Sequence, residues 1–182
     1  MFVAGTRTRW LLAGAGAAAV FVVVYISFMG YAGDRVTAWL HPELDPGDTG
    51  YQILQSLYAI GSGGLFGLGY GKSRQKYLYL PFQYNDYIFA VICEELGLVG
   101  AMAIVALFAV TILRGYWIAL NARDRFSTVL AAGLVTLIAV QTILNLCVVT
   151  NLLPSTGIAL PFFSYGGTAL AVNPGEMGIV LG

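Results

Sequence analysis

Residues 83–97 read QYNDYIFAVICEELG, and the apolar run that begins there continues to Leu113. A helix needs about 20 apolar residues to cross roughly 30 Å of hydrocarbon at about 1.5 Å per residue. Residues 87–113 meet that requirement with Glu94 and Glu95 as their only charges. An ionised side chain inside a spanning segment costs at least about 2.5 kcal/mol, so it normally faces a partner or a cavity rather than lipid. The stretch therefore predicts a spanning helix whose carboxylates have a job.

The rest of the chain extends that reading. Of 182 residues, 58% are hydrophobic and 10% charged, against about 25% charged in soluble domains. The expected fold is an all-α polytopic membrane protein forming a single membrane domain over residues 1–182. Further spans are predicted at 10–31, which is rich in small residues (AGAGAAA), at 126–153, which carries Gln141, Thr142 and Asn145, and at 160–182. The last is interrupted by Asn173, Pro174 and Glu176. A signal peptide is the rival reading of the first, since Arg7 and Arg9 precede it and YAG precedes Asp34. Its apolar run is about twice as long as a usual signal core.

Charge narrows the function classes. Nine basic residues balance nine acidic ones, so no basic field points to nucleic acid. Cys93 and Cys147 lie in apolar runs without a CxxC pattern, and His41 stands alone, which implies neither a disulfide framework nor a metal site. The positive-inside rule puts Arg7, Arg9, Arg114, Arg123 and Arg125 in the cytoplasm. The long segment 32–86 is then extracellular, as is NLLPSTG at 151–157. On this topology Asp86 sits at the lip of a span, with Glu94 and Glu95 about 12 Å deeper.

The extracellular loop is more than a connector. It opens polar and proline-rich, then reads YQILQSLYAIGSGG, where Ile53, Leu54, Leu57 and Ile60 recur at helical spacing while Gln52, Gln55 and Ser56 face elsewhere. That pattern predicts an interfacial helix. Next, Lys72, Arg74 and Lys76 alternate, so an extended backbone presents all three on one face. The string GYGKS is not a P-loop, because Phe66 occupies the position of the required first glycine and the strand and helix context is missing. A cradle for phosphate and a patch attracted to membrane lipid headgroups both fit these cations. Asp86 has two readings as well: a general base near those cations, or an N-cap for the helix that follows.

Three segments together carry a resemblance: GYQILQSLYAIGSGGLFGLGYGKSRQKYLYLP at 50–81, NDYIFAVICEELGLVG at 85–100 and LLPSTGIALPFFSYGGTAL at 152–170. In that order they resemble the carboxyl-terminal half of the shape, elongation, division and sporulation (SEDS) family, the polytopic peptidoglycan polymerases typified by FtsW, RodA and SpoVE. The ICEELG form resembles the division and sporulation branch more than the rod-shape branch. The resemblance implies a peptidoglycan glycosyltransferase that joins lipid II (undecaprenyl-pyrophosphate-linked disaccharide pentapeptide) into glycan strands outside the membrane, releasing undecaprenyl pyrophosphate. A lipid II flippase and a non-catalytic scaffold of the division machinery are the alternatives.

On this resemblance Asp86 is the catalytic carboxylate. Lys72, Ser73, Arg74, Gln75 and Lys76 would hold pyrophosphate, with Glu94, Glu95, Ser164, Tyr165, Gly166 and Gly167 also on the substrate side. A divalent cation, Mg or Mn, is compatible with such a site, although no ligand cluster in the sequence identifies one. A class B penicillin-binding protein is the expected partner. Relatives have about ten spanning helices and this chain begins near the seventh, so the chain by itself is expected to insert without polymerising. It also departs from relatives after SYGG, where NPGEMGIVLG replaces a continuing apolar run.

Overall fold

A computed structural model describes residues 9, 12–14, 16–17, 20, 30–44, 49–73, 86–164 and 167–181. Most of the predicted span at 10–31 lies outside the described residues, as do Arg74, Gln75, Lys76, Tyr165 and Gly166. Among the described residues the secondary structure is helical, with no strand: α1 (Gly30–Leu40), a 3-10 turn (Pro42–Leu44), α2 (Thr49–Gly63), α3 (Ile88–Leu120), α4 (Arg125–Val149) and α5 (Gly167–Leu181). Two of these, α3 and α4, are long and apolar enough to cross a membrane.

Helix α1 occupies sequence that reads as the start of a polar loop. It ends at Leu40 because Pro42 disfavours helical geometry at His41, whose own N–H still donates to the Thr37 carbonyl. Helix α4 starts at the side chain of Asp124, whose Oδ2 accepts from Ser127 N at 3.0 Å. It stops earlier than the sequence predicts. Asn151 adopts a left-handed φ of 57°, Leu152 N returns to Cys147 O and Asn151 N to Val148 O, which is a Schellman termination.

Helix α2 packs on α3, and α3 packs most extensively on α4. The residues that α2 buries are Gly50, Ile53, Ser56, Ala59 and Gly63. Ser56 therefore points into the core, contrary to its predicted outward position. Its hydroxyl is satisfied there by the carbonyls of Ile53 at 2.8 Å and Val149 at 3.2 Å. Small side chains win this face because they let two helix backbones approach. A Cβ on Gly63 would lie 2.0 Å from the Cys93 carbonyl oxygen.

The largest departure from the sequence reading is inside α3. Gly97 has φ 67° and ψ −168°, so the helix breaks there. In a continuous helix Leu98 and Val99 would donate to Glu94 and Glu95. Instead Leu98 N donates to Gly64 O at 2.9 Å and Val99 N to Leu65 O at 3.2 Å, while Glu94 O and Glu95 O accept from Leu68 N and Gly69 N, each at 3.0 Å. The glycine-rich loop after α2 is thus inserted into two helical hydrogen bonds and replaces them with four. Backbone groups freed in an apolar setting require such partners.

Helix α5 begins at Gly167 and contains Pro174. Residues 160–164 of the predicted 160–182 span form a turn in which Leu160 N donates to Ser164 Oγ at 2.7 Å and Ser164 N to Leu160 O at 3.1 Å. Phe162 in this turn has a φ of 66°.

Candidate functional site

Asp86 stands two residues before the first residue of α3. The N-cap of that helix is Tyr87, which makes no side-chain capping bond. Among the described residues no donor is hydrogen-bonded to the Asp86 carboxylate, so the N-cap reading does not describe its side chain. Its backbone is firmly held: Asn145 Nδ2 on α4 donates to Asp86 O and to Ile158 O, both at 2.8 Å. One buried amide thus ties the start of α3 to the 150–164 loop. Asn145 Oδ1 has no partner among the described residues.

That loop is also clamped by α1. Arg35 Nη1 donates to Ser155 O at 2.8 Å and Trp39 Nε1 donates to Asn151 O at 3.0 Å. The Tyr87 hydroxyl lies 3.5 Å from Ser155 Oγ. At Gly157, which has a left-handed φ of 68°, an added Cβ would come within 3.7 Å of Asp86 Oδ2. Arg35 and Asp86 therefore meet the same short turn. Burial pushes the Asp86 carboxyl above the ordinary carboxylate range, and the positive charge of Arg35 pulls it part of the way back. A partly desolvated carboxylate with a raised proton affinity is suited to accept a proton near neutral pH.

The other predicted site residues divide by location. Ser73 donates its hydroxyl to Glu94 Oε2, and both side chains are buried. Glu95 is also buried, with Oε1 lacking a hydrogen-bond partner among the described residues. Lys72 is exposed. The contact of Ser73 with Glu94 anchors one end of the basic stretch to α3, beside the Gly97 break. Ser164 is buried and serves its own turn, and Gly167 begins α5. Among the described residues no three His, Cys, Asp or Glu side chains gather as a metal site.

A cavity of about 600 Å³ holds none of these residues. It lies between the far ends of α3, α4 and α5, lined by Trp117, Asn121, Arg123, Asp124, Leu130 and Ile179 among others.

Two members of the Asp86 neighbourhood escape a sequence reading that starts from motifs. Arg35 has no motif around it. Its signal is its isolation, as the only Lys or Arg between Arg9 and Lys72. Asn145 is visible as a polar residue in an apolar span, but its bonding is not. Asn145→Ala is expected to lose both donated bonds and to strand two carbonyls, lowering stability by about 2–4 kcal/mol. Thermal unfolding in detergent measures it; Asn145→Asp, which keeps the shape but not the donor, should be similarly destabilised.

The family model for FtsW/RodA/SpoVE, described as cell cycle protein, matches residues 1–182. Stage V sporulation protein E of Bacillus subtilis is 46% identical over 182 residues, covering 100% of this chain and 50% of that protein. A probable peptidoglycan glycosyltransferase FtsW of Geobacter metallireducens is 44% identical over 181 residues, covering 100% of this chain and 48% of that protein. The chain thus spans about half the length of these curated relatives. Among solved structures, a chain from work on structural coordination of polymerization and crosslinking by a peptidoglycan synthase complex is similar with a TM-score of 0.75 and 28% identity, over 95% of this chain and 48% of that one.

Proposed function

Since the chain belongs to the FtsW/RodA/SpoVE family, we propose that it supplies the carboxyl-terminal half of a peptidoglycan glycosyltransferase that polymerises lipid II. The observation that carries the reading is Asp86: a half-buried carboxylate at the start of α3, not engaged as a cap, with a raised proton affinity and a cation beside it. The names of the relatives as probable peptidoglycan glycosyltransferases support the same reaction.

In the reaction Asp86 takes the proton of the acceptor sugar's 4-hydroxyl as that oxygen attacks the donor's anomeric carbon. The new glycosidic C–O bond forms while the bond from the anomeric carbon to the phosphate oxygen breaks, and undecaprenyl pyrophosphate leaves with the electron pair. Lys72, Arg74 and Lys76, with Gln75, meet the pyrophosphate charge, while Ser73 anchors the stretch that carries them. The buried contact of Glu94 with Ser73 holds the start of that stretch. Glu95, Ser164, Tyr165, Gly166 and Gly167 complete the substrate side of the proposed site. The transpeptidase partner is a class B penicillin-binding protein, in division or sporulation.

Polymer formation from purified lipid II by the full-length polymerase tests the reading. A flippase would move lipid II across a bilayer without making polymer, and a scaffold would do neither. The proposed orientation has its own check. A cysteine placed at Thr49 should react with a membrane-impermeant thiol reagent in intact cells, and one placed at Asn121 should not. The opposite labelling would invert the topology and remove Asp86 from the outer face.

A further inference from the structure

Resting on that reading of Asp86, we propose that Arg35 is a positioning residue for the reaction, a cation that α1 fixes on the turn Ser155–Gly157 so that its charge acts across that turn on the Asp86 carboxylate. Two contacts with one loop place it. Arg35 Nη1 is fixed on Ser155 O at 2.8 Å, and four residues along the same helix Trp39 Nε1 is fixed on Asn151 O at 3.0 Å. Residues four apart lie on one helical face, so α1 grips the loop at both points as a rigid bar. On the other side of the turn, Asp86 Oδ2 lies close to Gly157, within 3.7 Å of where an added Cβ would stand. Asn145 locks the Asp86 backbone to the same loop through Ile158 O. Cation and carboxylate are thereby referred to one piece of backbone.

The electrostatics agree with this geometry. The Arg35 charge opposes the rise that burial imposes on Asp86, so it favours the ionised form that can accept a proton. Among the described residues, α1 contributes Arg35 to this neighbourhood and α3 contributes the phenol of Tyr87, which reaches Ser155 Oγ. Helix α4 contributes the uncharged Asn145, and the 150–164 loop contributes Ser155, which does not titrate. Arg74 and Lys76 lie outside the described residues.

The sign of the pH effect follows. Without Arg35 the carboxylate protonates at higher pH, and the base form is lost where the native enzyme still has it. In the full-length polymerase, Arg35→Gln is expected to lower kcat/KM for lipid II polymerisation about tenfold at neutral pH, short of the loss from removing the base. The acidic limb of its pH profile should move to higher pH, and Arg35→Lys should bring it back toward the native position. Trp39→Phe removes the companion anchor without touching charge, so it should leave the midpoint of that limb in place. A merely structural role for Arg35 would make the Gln and Phe variants alike, with rates reduced equally at every pH, and that result would overturn the inference. An Arg35→Gln protein too unstable to assay shifts the decision to Arg35→Met, which keeps the aliphatic stem without the charge and must then show the displaced limb for the inference to stand. Asp86→Asn is assayed in parallel. If it polymerises normally, the catalytic reading itself fails; if it is inactive while the Arg35 variants keep the native midpoint, only the role of Arg35 fails.

Discussion

Asp86→Asn is expected to leave expression, folding and lipid II binding intact while slowing polymerisation by about 100-fold or more, the usual contribution of a general base. Asparagine is almost isosteric with aspartate and nearly as good a helix cap, yet it cannot accept a proton at neutral pH. The structure makes the comparison cleaner, because Tyr87 and not Asp86 stands at the N-cap of α3 and no side-chain capping bond is there to be lost. The backbone bond from Asn145 to Asp86 O is also indifferent to the substitution. Stability should therefore change little, and a large loss of rate must come from chemistry. Near-normal glycan synthesis by the variant would remove Asp86 from the mechanism and move a flippase or scaffold ahead.

Gly97→Ala is expected to be strongly destabilising. At a φ of 67° an L side chain is strained, which costs on the order of 1–3 kcal/mol. Its Cβ would also stand 2.3 Å from Gly67 N and 2.6 Å from Leu65 O. Those atoms are backbone and cannot swing aside, and they belong to the loop whose four hydrogen bonds close the break in α3. Overpacking adds roughly 1–3 kcal/mol more. The sum, about 2–6 kcal/mol, is comparable with the total stability of many domains. Gly67→Ala should behave alike, since its Cβ would lie 2.2 Å from Glu95 O. Gly71→Ala is the control, with a φ of 75° but no atom of the described residues within 4 Å of the added carbon. Thermal unfolding in detergent should show a clearly larger fall in Tm for Gly97→Ala and Gly67→Ala than for Gly71→Ala. Equal falls would mean that the loop is not inserted into the helix.

The apolar stretches behind α3 and α4, the helical spacing that announces α2 and the placement of Asp86 just ahead of α3 are all legible in the residue order. These depend on properties that neighbouring residues express together, namely length, hydropathy and periodicity. The family motifs are legible for the same reason, as contiguous strings. Residue order also shows that Gly97 and the glycines at 63, 64, 67 and 69 are present. It does not show that they meet.

What tertiary structure decided is every feature made by segments far apart in the chain. Arg35 reaches Ser155 across 120 positions and Asn145 reaches Asp86 across 59. Ser56 turns inward because a carbonyl 93 residues later is there to receive it. Helix α3 breaks at Gly97 because the glycine loop satisfies the carbonyls of Glu94 and Glu95 and the amides of Leu98 and Val99. Hydropathy alone makes that helix continuous, since isolated backbone groups have no better partner than their own helix. A second backbone close enough to compete is supplied only by folding.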